Sequence, residues 1–340
     1  MQNAKRNCGS HTTSYPSTGF GTFDKLGCPT GIPMKLRSQH ARPALALLLS
    51  LVAAVALPAQ RPTDILVTTD WLAKHLRDPG LVILHASPQK TDYDAGHVPG
   101  ARFLPWLSYT TQRDGLSTEL PDMAQLDSVL ENVGISDDSR IVITGGPLTT
   151  SARLYYTLDY FGLGNRVSLL DGGIDAWREE GRAVERAMPA PPPRGTLTLR
   201  TQTAKLADAR WIVNNATPDK HIAVLDARLP EFFAGLAANN TPRAGRLPTA
   251  QNVPFTWLTG EMTRFRDRGK LERLFTQAGV KPGDTVVTYC HIGMQGSVLY
   301  MAARLLGHDA ALYDGSFEDW SRRSELPVGG PPQPTKPPQS

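Results

Sequence analysis

The chain has 340 residues, of which 40% are hydrophobic and 20% are charged, so it can form about two domains of ordinary size. Its 30 glycines and 28 prolines are too few for a collagen-like or low-complexity protein. The formal net charge is +4, but six of the 36 basic residues and only one of the 32 acidic residues precede Leu57. The remainder is close to neutral, and we therefore expect no nucleic-acid partner.

The N-terminal region has the features of a secretory signal peptide. Met34 is followed by several basic residues, an apolar run over 44–57, and small residues at 54–56 in the spacing of a cleavage site. We therefore predict a signal peptide over 34–56 and an exported protein, periplasmic or secreted, with no stable membrane association. An uncleaved anchor is the alternative, although the uncharged run is short for a membrane span. Residues 1–33 are interpreted as a mis-assigned or disordered extension.

The cysteines point to one residue. Cys8 and Cys28 precede Met34, so the exported protein would contain a single thiol, Cys290, and no internal disulfide. Such a thiol is either buried and inert or used in chemistry. Cys290 is therefore the first candidate functional residue.

The rest of the chain contains the same pattern twice. In each copy an apolar strand leads into a loop and then into an apolar-periodic helix. These strands and helices lie at 140–144, 152–161, 284–288 and 297–306. Both copies end in Leu-x-Asp-Gly-x-x-x-x-Trp, at 169–177 and 312–320. Short apolar strands that alternate with helices predict an α/β fold with parallel sheets.

The repeat also predicts the domain organisation. We expect two tandem doubly wound domains with parallel central sheets, the first at 64–187 and the second at 203–328. Between them, residues 188–202 are rich in proline and are predicted to form an extended linker. The tail, 329–340, is also rich in proline and is predicted to be disordered.

Cys290 lies in a loop between the strand that ends near Tyr289 and the helix that begins near Gly296. At this end of a parallel strand, backbone N–H groups and the helix N-terminus stabilise an anion. We expect them to lower the pKa of the thiol and to make Cys290 a nucleophile. Gly293 and Gly296 would let the loop N–H groups converge on the sulfur. This chemistry requires no metal and no organic cofactor.

Other classes of thiol protein can be compared with this loop. The Cys-x5-Arg motif of cysteine phosphatases would need an arginine where the chain has Gly296, and a Cys-x-x-Cys redox motif would need a cysteine at Gly293. A thiol hydrolase that uses His291 as its base remains open. The first half has Gly145 at the position of Cys290, so that half cannot carry out thiol chemistry.

These motifs resemble those of the rhodanese family, specifically its two-domain sulfurtransferases. The resemblance covers residues 64–328 and rests on the Cys290 loop, the segment 93–101 and the paired Asp-Gly…Trp endings. It implies an inactive first domain and a catalytic second domain that moves a sulfane sulfur through a persulfide of Cys290. The expected donor is thiosulfate, with 3-mercaptopyruvate as the alternative, and the acceptor is a thiophile such as cyanide. A persulfide carrier protein with little turnover of its own is a further alternative.

The resemblance also suggests which residues surround the sulfur. Substrate binding is expected from the loop and from the last repeat motif, at His291, Ile292, Gly293, Met294, Gln295 and Ser316. His291 could be a partial cation at neutral pH. Asp175 stands where family members often have a substrate-binding arginine, and Arg178 could take over that role. Asp226 and Arg228 would form a structural pair, and the oligomeric state is left open.

Overall fold

The computed structural model describes residues 64–217 and 219–330. The predicted extension, the predicted signal peptide and all but the first two residues of the predicted tail lie outside the described residues. Two α/β domains follow one another within them, as the repeated pattern predicts. In this part of the chain no helix is long and apolar enough to cross a membrane.

The first domain is built around a five-stranded parallel sheet. Its elements are β1 (Leu66–Val67), α1 (Thr69–His75), β2 (Leu81–Ser87), α2 (Lys90–Asp94), β3 (Arg102–Pro105), β4 (Thr111–Arg113), β5 (Leu116–Glu119), α3 (Met123–Asn132), β6 (Arg140–Thr144), α4 (Leu148–Tyr160), β7 (Val167–Leu170) and α5 (Gly173–Glu179). The sheet order is β1-β7-β6-β2-β3. Strands β4 and β5 form a separate antiparallel hairpin that the sequence pattern did not predict.

The second domain repeats this arrangement. Its elements are β8 (Leu206–Ala207), α6 (Ala209–Asn215), β9 (Ile222–Asp226), α7 (Pro230–Phe233), β10 (Gln251–Asn252), α8 (Arg268–Gln277), β11 (Thr285–Tyr289), α9 (Met294–Leu306), β12 (Ala310–Tyr313) and α10 (Ser316–Arg322). The sheet order is β8-β12-β11-β9-β10, and all of its strand pairs are parallel. Each strand therefore has a counterpart at the same place in the first sheet, which confirms the predicted tandem fold.

The two helices predicted after the repeated strands begin earlier than expected. Helix α4 starts at Leu148 instead of residue 152, and α9 starts at Met294 instead of residue 297. The first turns of these helices contain Thr149, Thr150 and Gln295, which do not show the apolar periodicity on which the prediction relied. As a result, the loop between Cys290 and its helix is shorter than expected.

The domains pack against each other through α4 and α9. The rings of Tyr156 and Tyr300 meet edge to face at 5.1 Å, and the Tyr300 hydroxyl donates to Asp159 over 2.7 Å. Leu154 and Val298 belong to one hydrophobic cluster that extends through both domains. The helix that follows Cys290 is therefore packed against the first domain.

The proline-rich segment between the domains contains no helix or strand before Thr203 and lies against the first domain. Leu197 is buried there, and the N–H groups of Gly195 and Arg200 donate to the carbonyls of Glu131 and Phe161 over 2.8 and 3.0 Å. These contacts attach the segment to the end of α3 and to the residue after α4.

Candidate active site

Cys290 follows β11 and directly precedes the turn that starts α9, at the carboxyl end of the second sheet. Its side chain is fully buried, and the backbone N–H groups of Ile292, Gln295 and Gly296 face the sulfur. Gly293 has a φ of +87°, a conformation that lets the chain turn into the helix within three residues. Close packing also limits Gly296, because a Cβ there would lie 2.9 Å from Leu312. The loop therefore holds three donors around one sulfur atom.

Because it is buried, the Cys290 thiol has a different pKa from the one that the sequence predicts. Burial raises the pKa of the Cys290 thiol above its ordinary value, with a smaller contribution from Asp226, although the three N–H groups oppose the shift. The expected lowering of this pKa by the helix N-terminus is therefore wrong for the protein without substrate. The three N–H groups are still available to stabilise negative charge on sulfur as it develops during reaction.

His291 is a neutral side chain at this site. It is 7% exposed and packs edge to face on Phe232, with ring centroids 4.6 Å apart. Burial, together with Arg228, lowers the pKa of His291 to about 4. A partial cation, one of the two interpretations of His291, is therefore absent at neutral pH.

Ser316 lies behind the loop rather than at the substrate side. It is fully buried, and its hydroxyl accepts from the Cys290 N–H over 3.2 Å while donating to the Tyr313 carbonyl over 2.8 Å. Its φ of +51° is unusual for a residue other than glycine, and such strain is often found at functional sites. Ser316 therefore positions the backbone of Cys290.

Asp226 and Arg228 form a buried ion pair beneath the loop. The Arg228 Nη2 to Asp226 Oδ2 distance is 2.6 Å, and a second bond joins Arg228 to the Gly245 carbonyl over 2.8 Å. The Asn252 side chain caps the pair by donating to the carbonyls of both residues. The positive charge of Arg228 is thus compensated and is not free to bind an anionic substrate.

The first domain reaches the catalytic loop through its β4–β5 hairpin. The Thr118 hydroxyl donates to the Ile292 carbonyl, and the Leu120 N–H donates to Asp314 over 2.7 Å. Arg153 of α4 forms an ion pair with Asp314 in which both side chains are buried. Without a Cβ, Gly293 leaves room for Arg153, since a Cβ there would be 2.8 Å from the guanidinium. Sequence reasoning missed all of these contacts because they join distant residues.

Glu119 adds to this contact between the domains. Burial, and then the neighbouring Asp314, raises its pKa to about 8. Glu119 is therefore mostly protonated at neutral pH, and Asp314 is the carboxylate that pairs with Arg153.

We expect Thr118→Val to lower kcat for sulfur transfer by about tenfold, because the Ile292 carbonyl loses its donor and the loop N–H groups shift. The readout is the split between kcat and KM, together with the rate of persulfide formation at Cys290. Thr118→Ser keeps the hydroxyl and should recover most of the rate. Thr111→Val in the same hairpin is the matched control, because within the part of the chain that the structure describes its hydroxyl donates only to the adjacent Gln112 carbonyl. Equal effects of Thr118→Val and Thr111→Val would contradict the positioning role.

A cavity of about 740 Å³ opens beside the sulfur, between the two domains. Five of the predicted site residues line it, namely Cys290, His291, Ile292, Met294 and Gln295. The first domain contributes Trp106, Pro147, Leu148 and Thr149. The second domain completes the walls with Asn239, Phe255, Thr256, Thr259, Gly260 and Thr263. Gly293 and Ser316 do not line the cavity, and sequence reasoning missed every lining residue outside the Cys290 loop.

Asp175 does not line this cavity. Its side chain is 71% exposed and lies 3.7 Å from Arg178, which also donates to the Gly96 carbonyl. Arg178 is likewise absent from the cavity walls. The structure therefore brings neither residue to the substrate side of Cys290. Within the described residues, no group of three or more metal-ligating side chains occurs.

The first domain has no room for a thiol at the equivalent position. Gly145 follows β6 as Cys290 follows β11, and a Cβ at Gly145 would lie 2.6 Å from the buried ring of His85. Burial, with His97 and Arg178 nearby, lowers the pKa of His85 to about 4. The first domain thus has a neutral imidazole packed against the place where the second domain has its thiol.

His85 is expected to make the protein sensitive to acid. Because its pKa is lowered on folding, its contribution to stability is fully present above pH 6.5 and is lost as the pH falls from 6.5 towards 4. The loss should be about 3 kcal/mol, measured as the free energy of unfolding between pH 7 and pH 4. His291 contributes in the same direction. Between pH 4 and pH 6.5, unfolding of His85→Leu should therefore take up about one proton fewer than unfolding of the natural protein. An unfolding free energy that depends on pH as steeply in the variant as in the natural protein would contradict this assignment.

Comparison with known proteins places these features in a family. The Rhodanese-like domain matches residues 68–180 and 208–323, which together are more than half of the chain. SseA of Mycobacterium bovis, provisionally named a thiosulfate sulfurtransferase, is 31% identical over 279 residues, which are 77% of this chain and 90% of that protein. The sulfur carrier protein TtuD of Thermus thermophilus is 27% identical over 280 residues, with 78% and 96% of the two chains covered.

A solved structure shows the same fold. The anaerobic ergothioneine biosynthesis enzyme from Chlorobium limicola superimposes with a TM-score of 0.70 at 20% identity, covering 79% of this chain and 71% of that chain. The family assignment rests on the two matched domains, on the strand order that the two sheets of this chain share, and on the similarity to named sulfurtransferases. This chain belongs to the rhodanese family and is a sulfurtransferase with two tandem rhodanese-like domains.

Proposed function

We propose that this protein is a thiosulfate sulfurtransferase in which Cys290 carries the transferred sulfur as a persulfide. The observation that carries the proposal is the position of the Cys290 sulfur, beside the cavity and facing three backbone N–H groups. A thiosulfate sulfurtransferase of Corynebacterium glutamicum, 27% identical over 274 residues with 77% of this chain and 89% of that protein covered, supports the choice of donor.

In the first step the Cys290 sulfur attacks the outer sulfur of thiosulfate. A bond forms between the two sulfur atoms, the S–S bond of thiosulfate breaks with its electron pair, and sulfite leaves with the proton of the thiol. The products are a persulfide anion on Cys290 and hydrogen sulfite, so atoms and charge balance. The N–H groups of Ile292, Gln295 and Gly296 stabilise the negative charge that now lies in the loop.

In the second step a thiophile takes the outer sulfur. Cyanide attacks it, the persulfide bond breaks, and thiocyanate leaves while the thiolate of Cys290 takes up a proton. No metal or organic cofactor takes part in either step. The leader predicted over 34–56 would place this activity outside the cytoplasm.

The main alternative is a persulfide carrier with little turnover alone. Full burial of Cys290 and its raised pKa favour this alternative, because both slow the attack on a free donor. The name of TtuD, a sulfur carrier protein, points in the same direction. 3-Mercaptopyruvate is a second candidate donor.

The proposal is tested by measuring thiocyanate formation by the purified protein with thiosulfate or 3-mercaptopyruvate as donor. Intact-protein mass spectrometry in parallel detects the mass of one added sulfur atom. Rapid turnover with thiosulfate supports the proposed enzyme. A stable persulfide with slow turnover on both donors supports the carrier, and faster turnover with 3-mercaptopyruvate changes the donor.

A further inference from the structure

The two domains contact each other through matching hydrogen bonds at their Asp-Gly motifs. In the second domain, Asp314 accepts from the N–H of Leu120, which directly follows the β4–β5 hairpin of the first domain. In the first domain, Asp171 accepts from the N–H of Phe265 of the second domain over 2.9 Å. Asp171 and Asp314 occupy the same position in the repeated motif. The contact that supports the Cys290 loop therefore has a counterpart at the motif of the first domain.

The bond from Phe265 holds a short loop, residues 259–265, which we call the wall loop. Its ends are joined by an antiparallel bridge between Thr259 and Phe265. Three residues of the wall loop line the cavity beside the sulfur, namely Thr259, Gly260 and Thr263. Two of them carry hydroxyl groups, which can donate hydrogen bonds to the oxygen atoms of an oxyanion. The wall loop thus forms part of the surface that a donor such as thiosulfate would meet.

Two more hydrogen bonds join the wall loop to the first domain. The Arg264 guanidinium donates to the Asp171 carbonyl over 3.3 Å and to the Glu180 carboxylate over 2.6 Å. Glu180 is fixed in turn by Thr69 and Arg182, which both donate to its carboxylate. The first domain therefore holds the wall loop through groups that are themselves held in place.

The backbone of the wall loop depends on these contacts for its shape. Thr263 has a φ of +55°, which is unfavourable for a threonine. Such a conformation persists only where the surrounding structure imposes it. Gly260 lies next to open space, because a Cβ there would have no heavy atom beyond the adjacent residues within 4 Å. We therefore expect the wall loop to shift when its contacts with the first domain are removed.

We propose that Asp171 is a positioning residue for the active site, which holds the wall loop in place and so shapes the cavity in which the sulfur donor binds. The first domain thereby contributes to substrate binding although it has no thiol of its own at the equivalent loop. This inference rests on the proposed sulfur transfer at Cys290. Asp314 supports the loop that carries the thiol, whereas Asp171 supports another wall of the same cavity.

Steady-state kinetics separates this role from that of the Cys290 loop. Asp171→Ala removes the acceptor of the Phe265 N–H, so we expect KM for thiosulfate to rise by about tenfold while kcat changes by less than about twofold. Asp171→Asn keeps an acceptor oxygen and should recover most of the KM. Asp175→Ala is the matched control, because this aspartate lies in the helix that follows and its side chain is 71% exposed. A fall in kcat at unchanged KM, or equal effects of Asp171→Ala and Asp175→Ala, would overturn the proposal.

The position of the wall loop can also be measured without sulfur transfer. Cys290 is fully buried, so its alkylation requires the cavity walls to move. The probe is N-phenylmaleimide, with mass spectrometry of the peptide that contains Cys290. We expect Asp171→Ala to raise this alkylation rate by about tenfold, and Asp175→Ala to leave it unchanged. Equal rates for the natural protein and Asp171→Ala would overturn the proposal.

The ion pair between Arg264 and Glu180 provides a second variant, which leaves the bond to Asp171 in place. The two side chains are 31% and 34% exposed, so salt should weaken the pair. In the natural protein, about 1 M NaCl should raise the alkylation rate of Cys290 by about threefold. Arg264→Met should show the raised rate without added salt and should not respond to it. A salt response of equal size in Arg264→Met would contradict the attachment of the wall loop to the first domain.

The positioning role and the proposed function can fail separately. If no thiocyanate forms from thiosulfate, the proposed function fails, and the alkylation rates still decide whether Asp171 holds the wall loop. If thiocyanate forms and Asp171→Ala leaves the alkylation rate unchanged, the positioning role alone is wrong. Arg264→Met supplies the same measurement if Asp171→Ala does not fold.

Discussion

Cys290→Ser is expected to abolish thiocyanate formation, with a loss of about 10³-fold or more. The hydroxyl that replaces the thiol cannot form a persulfide, whereas the backbone hydrogen bond from residue 290 to Ser316 does not depend on the side chain. The loop should therefore keep its shape while the chemistry is lost. The measurements are steady-state turnover with thiosulfate and cyanide, and protein mass after exposure to the donor.

The control for this variant is its stability. The free energy of unfolding of Cys290→Ser should stay close to that of the natural protein, because the two side chains are similar in size. Turnover that survives in a well-folded variant would mean that another group carries the sulfur, and the proposed mechanism would have to be abandoned.

Arg153→Met is expected to destabilise the protein by about 3–5 kcal/mol. This change leaves the buried carboxylate of Asp314 without its cation, at the contact between the two domains. The cost arises from the unpaired charge, so a second substitution, Asp314→Asn, should recover a large part of it. The measurement is the free energy of unfolding in denaturant for the two single variants and the double variant.

An exposed ion pair is the matched control. Lys90 and Asp94 pair on the surface of α2, with side chains about half exposed, so Lys90→Met should cost less than about 1 kcal/mol. Additive losses in the Arg153→Met/Asp314→Asn double variant, with no recovery, would show that the pair is not the source of the effect.

Local patterns explain which parts of the site could be predicted. Strand β6 was predicted at its observed bounds, and Cys290 was identified from the strand before it and the glycines after it. The pKa values of Cys290 and His291 could not be predicted from local patterns. The helix N-terminus acts on Cys290 locally, but the burial that raises its pKa comes from the whole fold. The same reason accounts for His291, whose pKa is lowered by burial and by the neighbouring Arg228.

The sequence by itself determined the tandem α/β architecture, the identity of the thiol and its absence from the first domain. These features rest on hydrophobic periodicity, glycine placement and an internal repeat, all of which operate over short stretches of chain. Only the tertiary structure decided that Thr118 supports the carbonyl of Ile292, that Arg153 pairs with Asp314, and that residues of both domains line the cavity beside Cys290. Such contacts join residues far apart in the chain, where no local pattern records which partner burial will bring together.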